Sequence, residues 1–103
     1  MKIELKDLWS LDCTLSNLIA LYLKEFIEAI SSCGATPGCF CFDGDGHYIN
    51  DGWKSWHEAL CKMQYAFAHY DESTTNMDMP HQEIERIQEG IDLFARYFRH
   101  LNY

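Results

Sequence analysis

The stretch Leu8–Ile30, LWSLDCTLSNLIALYLKEFIEAI, decides the fold. Within it Leu8, Leu11, Leu15, Leu18, Tyr22, Phe26 and Ile30 recur at steps of three and four residues, the period of an α-helix. Around its middle, the run Leu18 to Leu23 is apolar on nearly every side. A helix without a polar face is buried on most of its circumference, so this segment is expected to be the central element onto which the others pack. One acid, Asp12, interrupts the stripe between Leu11 and Leu15. An unpaired buried charge is very costly, so such an acid has to be paired or neutralised. Asp12 is therefore expected to be a buried structural acid that fixes helix register. Its candidate partners are Lys62, Arg96, Arg99, His100 or an indole N–H of Trp9, Trp53 or Trp56.

Outward from this segment the chain is punctuated clearly. Lys6 and Asp7 open the first helix, with Asp7 placed to complement the N-terminal dipole, and Gly34 follows Ser31 and Ser32 as a C-terminal cap. Residues 34–51, GATPGCFCFDGDGHYIND, place two short apolar or aromatic runs on either side of Asp43-Gly44-Asp45-Gly46. That pattern predicts a small β-hairpin lying on the helices. Asn50 or Asp51 caps a second helix from Gly52 to about Tyr70, whose stripe is Trp53, Trp56, Leu60, Met63, Phe67 and Tyr70. The polar segment DESTTNMDMP, residues 71–80, reads as an exposed loop. A third helix starts near Pro80 or His81, carries Ile84, Ile87, Ile91, Phe94, Phe98 and Leu101, and ends in basic residues. Gly90 beside that stripe costs about 1 kcal/mol relative to alanine in a helix, so it marks a close approach of a neighbour. The expected architecture is all-α: a three-helix bundle with a small β-hairpin or ordered loop between the first two helices, in a single domain covering residues 1–103.

Composition bounds the function. Hydrophobic residues make up 48% of the chain, which excludes intrinsic disorder. With 16 acids against 8 bases the net charge is −8, the wrong sign for gripping nucleic-acid phosphates, so no direct nucleic-acid binding is expected. An acidic surface pairs instead with a basic partner or imitates nucleic acid. The opening MKIELKDL does not read as a signal peptide, and the longest apolar run of six residues falls far short of a bilayer span of roughly 20 residues. The five cysteines are then expected to be reduced thiols, with Cys13 and Cys61 as small buried apolar residues.

Several constellations could carry chemistry. Aligned on an EF-hand loop, Asp43 and Asp45 take ligand positions and Gly46 the sharp turn, but Cys41 and Gly52 stand where carboxylates are needed. Cys33, Cys39, Cys41 and His47 could supply tetrahedral N/S ligands to zinc, without any Cys-x-x-Cys pair. Neither pattern is complete, and no metal or cofactor is expected. A thiol nucleophile would need Cys39 or Cys41 beside His47 and lacks an orienting carboxylate of obvious placement. Glu85, Glu89 and Asp92 in the third helix, with Glu58 in the second, offer acids for a magnesium-dependent nucleotide hydrolase, but the second helix offers only Glu58, so the second half of the acid cluster such enzymes use is absent.

Three blocks carry a likeness to a known family: Asp7-Leu8-Trp9-Ser10-Leu11-Asp12, the segment Leu60–Phe67 after Trp53, and Glu89–Leu101 (EGIDLFARYFRHL), the last being the most specific. They resemble a family of small proteins from phage, prophage and metagenomic genomes. The loop CFCFDGDGHYIND departs from that family, which has a shorter stretch around a Gly-Tyr-Pro. The resemblance brings no activity with it. It implies a phage-borne accessory protein in the bacterial host cytoplasm, of the kind that inhibits host defence, CRISPR effectors included, by binding a target.

The leading expectation is a non-enzymatic interaction protein that binds a host or phage protein with a basic surface. Its acidic contact surface would combine Asp43, Asp45 and Asp51 with Asp71, Glu72 and Asp78. The alternatives are the metal-dependent nucleotide hydrolase or nucleotide-binding protein and a structural homo-oligomer whose aromatic load includes a self-association face.

Overall fold

A computed structural model describes residues 3–70 and 80–102. Helix α1 spans Leu5–Trp9 and α2 spans Leu11–Cys33. The continuous first helix expected from the periodicity is interrupted at Ser10, whose backbone (φ −127°, ψ 59°) leaves the helical region while its carbonyl accepts the Thr14 N–H at 3.0 Å. Serine favours this half-in position at a helix start. At the far end Gly34 adopts the left-handed conformation (φ 69°) and donates its N–H to the Ile30 carbonyl at 2.7 Å, the cap expected of it.

The segment between the first two long helices is not a hairpin. Pro37, with its fixed φ, opens a single helical turn, α3, over Gly38–Cys41, and no strand forms among the described residues. The hairpin shrinks to one antiparallel bridge between Phe42 and Tyr48. The physical reason is Phe40. In the helical turn its ring points inward, 5.2 Å from Trp56 and 5.0 Å from Tyr97, and closes one end of the bundle. An extended Cys39–Phe42 would have to give up that packing. Gly52 is where this turn meets the next helix, since any Cβ there would fall on the Phe40 carbonyl.

Helix α4 runs over Gly52–His69 and α5 over His81–Tyr97, followed by a 3₁₀ turn at Phe98–His100. Both agree with the sequence to within a residue or two. The central element, however, is α4 and not α2. Trp56, Ala59, Leu60, Met63, Ala66 and Phe67 of α4 are all buried, because α2 packs on one flank of α4 and α5 on the other. Small residues permit the second contact: a Cβ on the buried Gly90 of α5 would run into Ala66 and the Lys62 carbonyl, so the two backbones approach closely there. Rings then fill the seam, with Phe67 and Phe94 edge-to-face at 4.9 Å.

Helix α2 uses one side only. Ser16, Ala20, Leu23 and Ile30 face α4 and are buried, whereas Leu11, Leu15, Leu18, Leu21 and Tyr22 remain exposed. The apolar ring read from the sequence is real, but among the described residues only one side of it is covered. The molecule is correspondingly flat, with extents of 48 × 36 × 20 Å. Its least dimension is about two helix diameters. No helix among the described residues is long and apolar enough to cross a membrane.

Candidate functional surface

Three of the expected surface acids, Asp43, Asp45 and Asp51, lie on one loop between α3 and α4 and are exposed. The other three, Asp71, Glu72 and Asp78, lie outside the described residues. The loop is held by its own hydrogen bonds. The Asp43 carboxylate accepts the backbone N–H groups of Asp45 and His47, each at 2.9 Å, an arrangement in which an aspartate side chain mimics a turn. The Asp43 N–H donates to the His47 carbonyl at 2.9 Å and the Ile49 N–H to the Cys41 carbonyl at 2.7 Å. Gly46, at φ 84°, supplies the left-handed position of the turn. With Asp43 committed to the backbone, Asp45 presents its carboxylate to solvent, while the exposed Asp51 carboxylate lies 3.8 Å from the Lys54 ammonium.

Beside these acids the sequence reading missed a second feature. Phe42, Tyr48 and Trp53 are each more than half exposed, and Ile49 is exposed with them. The Phe42 and Tyr48 rings meet edge-to-face at 6.0 Å on the outer side of the bridge. Trp53, expected on the inner stripe of the second helix, points outward from the first turn of α4 and with Tyr48, Ile49 and Thr36 lines a shallow depression. The segment therefore presents aromatic and acidic side chains together, with the Lys54 ammonium beside Asp51 and 5.9 Å from the Trp53 ring. Aromatics in a glycine-rich loop were the available signal.

The metal readings meet particular obstacles. Carboxylate and imidazole atoms of Asp43, Asp45 and His47 lie within 4.8 Å of one another, all exposed. Two of the three cysteines grouped with His47 for zinc donate to backbone carbonyls, Cys33 to Ile30 at 3.7 Å and Cys41 to Thr36 at 3.8 Å. On α4, Cys61 is exposed and not buried as expected, because it lies on the edge of the helix beside His57, whose Nδ1 is 3.7 Å from its Sγ; partial desolvation still pushes this thiol's pKa up, opposite to what a thiolate nucleophile requires. Of the acids considered for magnesium, Glu58 and Glu89 share the Lys62 ammonium at 3.6 and 3.0 Å. Glu89 foremost raises the lysine's pKa. Glu85 pairs with His81 at 2.9 Å, and Asp92 accepts from Gln88 at 2.9 Å. A divalent cation between Glu58 and Glu89 would have to displace Lys62.

Asp12 requires a correction. It is exposed, not buried, and its partner is none of those expected: the Tyr70 hydroxyl donates to its Oδ2 at 2.6 Å. That bond first, and then the Cys13 backbone N–H, hold the carboxyl below its ordinary range. The reason is the placement of α2 at the edge of the bundle, which leaves the Asp12 side in solvent where the end of α4 can reach it.

Comparison of the chain with protein-family models, curated proteins and solved structures found no match.

Proposed function

We propose that this protein acts by binding another protein, without catalysis, through the loop that joins α3 to α4. The observation that carries the reading is the composition of that segment: Phe42, Tyr48 and Trp53 are exposed within twelve residues that also carry the exposed Asp43, Asp45 and Asp51, and the loop is fixed by the Asp43 turn. Tyrosine and tryptophan are the residues that concentrate binding energy at interfaces, and a loop already in its bound shape loses little entropy on docking. The acids select the partner. With a net charge of −8, the chain attracts a basic surface and repels an acidic one, which sets association rate and specificity. The likeness to phage and prophage proteins supplies the setting: a bacterial cytoplasm, a host or phage target, and obstruction of a defence or nucleic-acid-processing system as the consequence.

The test is capture from a bacterial host extract with the wild-type chain, with Tyr48→Ala/Trp53→Ala and with Asp43→Asn/Asp45→Asn/Asp51→Asn. A basic partner retained by the wild type, weakened by both variants and released as salt rises supports the reading. A partner that stays bound to both variants removes this surface.

A further inference from the structure

We infer that the depression between the end of α2 and the start of α4 receives an arginine side chain of the protein partner. This deepens the reading of the α3–α4 loop as a protein-binding surface and rests on it. The depression holds about 440 Å³, within the range of about 300–1,000 Å³ that ligand sites occupy. Tyr48, Ile49 and Trp53 line one part of it, and Ser31, Gly34 and Thr36 another.

The lining favours a cation, and a planar one. Tyr48 is 67% exposed and Trp53 55%, and aromatic faces attract a guanidinium, which also stacks flat on them. The Ser31 hydroxyl donates to the Ile27 carbonyl at 2.6 Å and the Thr36 hydroxyl to the Gly34 carbonyl at 3.1 Å. With their protons committed, both have only lone pairs left to offer, which suit an N–H donor. Helix α2 also ends here. No backbone N–H among the described residues reaches the carbonyls of Ser31, Ser32 or Cys33, and the last turn of the helix carries no basic residue. The negative end of this 23-residue helix dipole thus has no cation of its own to meet it.

The groups that would oppose a cation are engaged. The positive end of α4 borders the same space, but Gly52 N–H donates to the Ile49 carbonyl at 3.4 Å, and the Lys54 and Ser55 N–H groups donate to the Asp51 carbonyl at 3.0 and 3.2 Å. The Lys54 ammonium lies 3.8 Å from the Asp51 carboxylate and 5.9 Å from the Trp53 ring centroid, and neither residue lines the depression. His57 lines a smaller neighbouring recess. Across residues 42–54 three aspartates stand against one lysine, so the approach to the site is acidic. An ammonium would satisfy the charge alone. A guanidinium also stacks on the rings and donates in several directions at once, and arginine is among the residues that concentrate binding energy at interfaces.

The test is a titration of the isotope-labelled chain with three capped peptides, followed by NMR shifts of backbone amides and of the Trp53 indole, at one ionic strength. The peptides are acetyl-Gly-Arg-Gly-amide, its lysine counterpart and its citrulline counterpart, which keeps the shape of arginine without the charge. The arginine peptide is expected to shift Ser31, Gly34, Thr36, Tyr48 and the Trp53 indole saturably. Citrulline should bind about tenfold more weakly, the loss expected of a charge-assisted hydrogen bond. Lysine, of equal charge, should bind several-fold more weakly than arginine. Trp53→Leu and Ser31→Ala/Thr36→Val should each weaken the arginine peptide several-fold with an unchanged helical circular-dichroism spectrum, since none of the three residues belongs to the core. Shifts that do not saturate, that the citrulline peptide reproduces, or that survive both variants overturn the inference. Equal binding of the lysine peptide overturns the assignment to arginine. If capture from the host extract depends on Tyr48 and Trp53 but the arginine peptide does not bind, this inference falls and the protein-binding reading stands. If the peptide binds as described while capture is indifferent to those two residues, the protein-binding reading falls and the guanidinium site stands without it.

Discussion

Gly90→Ala probes the closest contact in the fold. Gly90 lies inside α5 against the middle of α4, and the added methyl would run into the Cβ of the fully buried Ala66 and the carbonyl of Lys62. Neither obstacle is the free end of a flexible side chain, so the methyl can be admitted only by moving the two helices apart. Overpacking of this kind costs about 1–3 kcal/mol. Backbone among the obstacles places the cost toward the upper end of that range. Alanine recovers about 1 kcal/mol of helix propensity. The net loss is then about 2 kcal/mol, and at about 4–8 °C per kcal/mol for a domain of this size the melting temperature should fall by roughly 8–16 °C. The assay is thermal and urea unfolding followed by circular dichroism, at one fixed chain concentration so that any self-association contributes equally to both proteins. A melting temperature that rises, as propensity alone would dictate, would refute the close α4–α5 approach.

Two further perturbations test other parts of the fold. Trp56, 2% exposed between Phe40 and Tyr97, anchors the closed end of the bundle, so Trp56→Ala should cost about 3–5 kcal/mol in urea unfolding; a loss under about 1 kcal/mol would mean the ring is not in the core. The Tyr70–Asp12 hydrogen bond depresses the aspartate's pKa in the folded chain. Its stabilising contribution is therefore complete above the unfolded value of about 4 and is lost as pH falls through the lower folded value. The melting temperature of Tyr70→Phe should lie below that of the wild type at neutral pH and converge with it under acid; a gap independent of pH would contradict the assigned bond.

What the sequence revealed and what it hid divide along a physical line. Helix ends written in local chemistry were legible: the left-handed cap at Gly34, the start of α4 after Asp51 and of α5 after Pro80, and the close approach at Gly90. Periodicity also identified every apolar face of α2. It could not say whether each face is covered by the same chain, and so α2 passed for the centre that α4 occupies. Cys39–Phe42 alternates like a strand, but four residues are too few to separate a strand from one helical turn, and the inward ring of Phe40 decided the matter. Asp12 finds Tyr70 across 58 residues of sequence, a pairing that no local pattern encodes. At the candidate surface the acids were legible from composition, whereas Trp53 sat in phase with the α4 stripe and gave no sign that it turns outward.

The proposed role stands on one surface, the loop from Phe42 to Trp53. Amide hydrogen exchange on the chain with and without its captured partner examines that surface residue by residue. Protection gained on binding should concentrate in residues 42–53 and weaken as salt releases the partner. Binding that leaves this loop unprotected, with protection appearing elsewhere, would contradict the account.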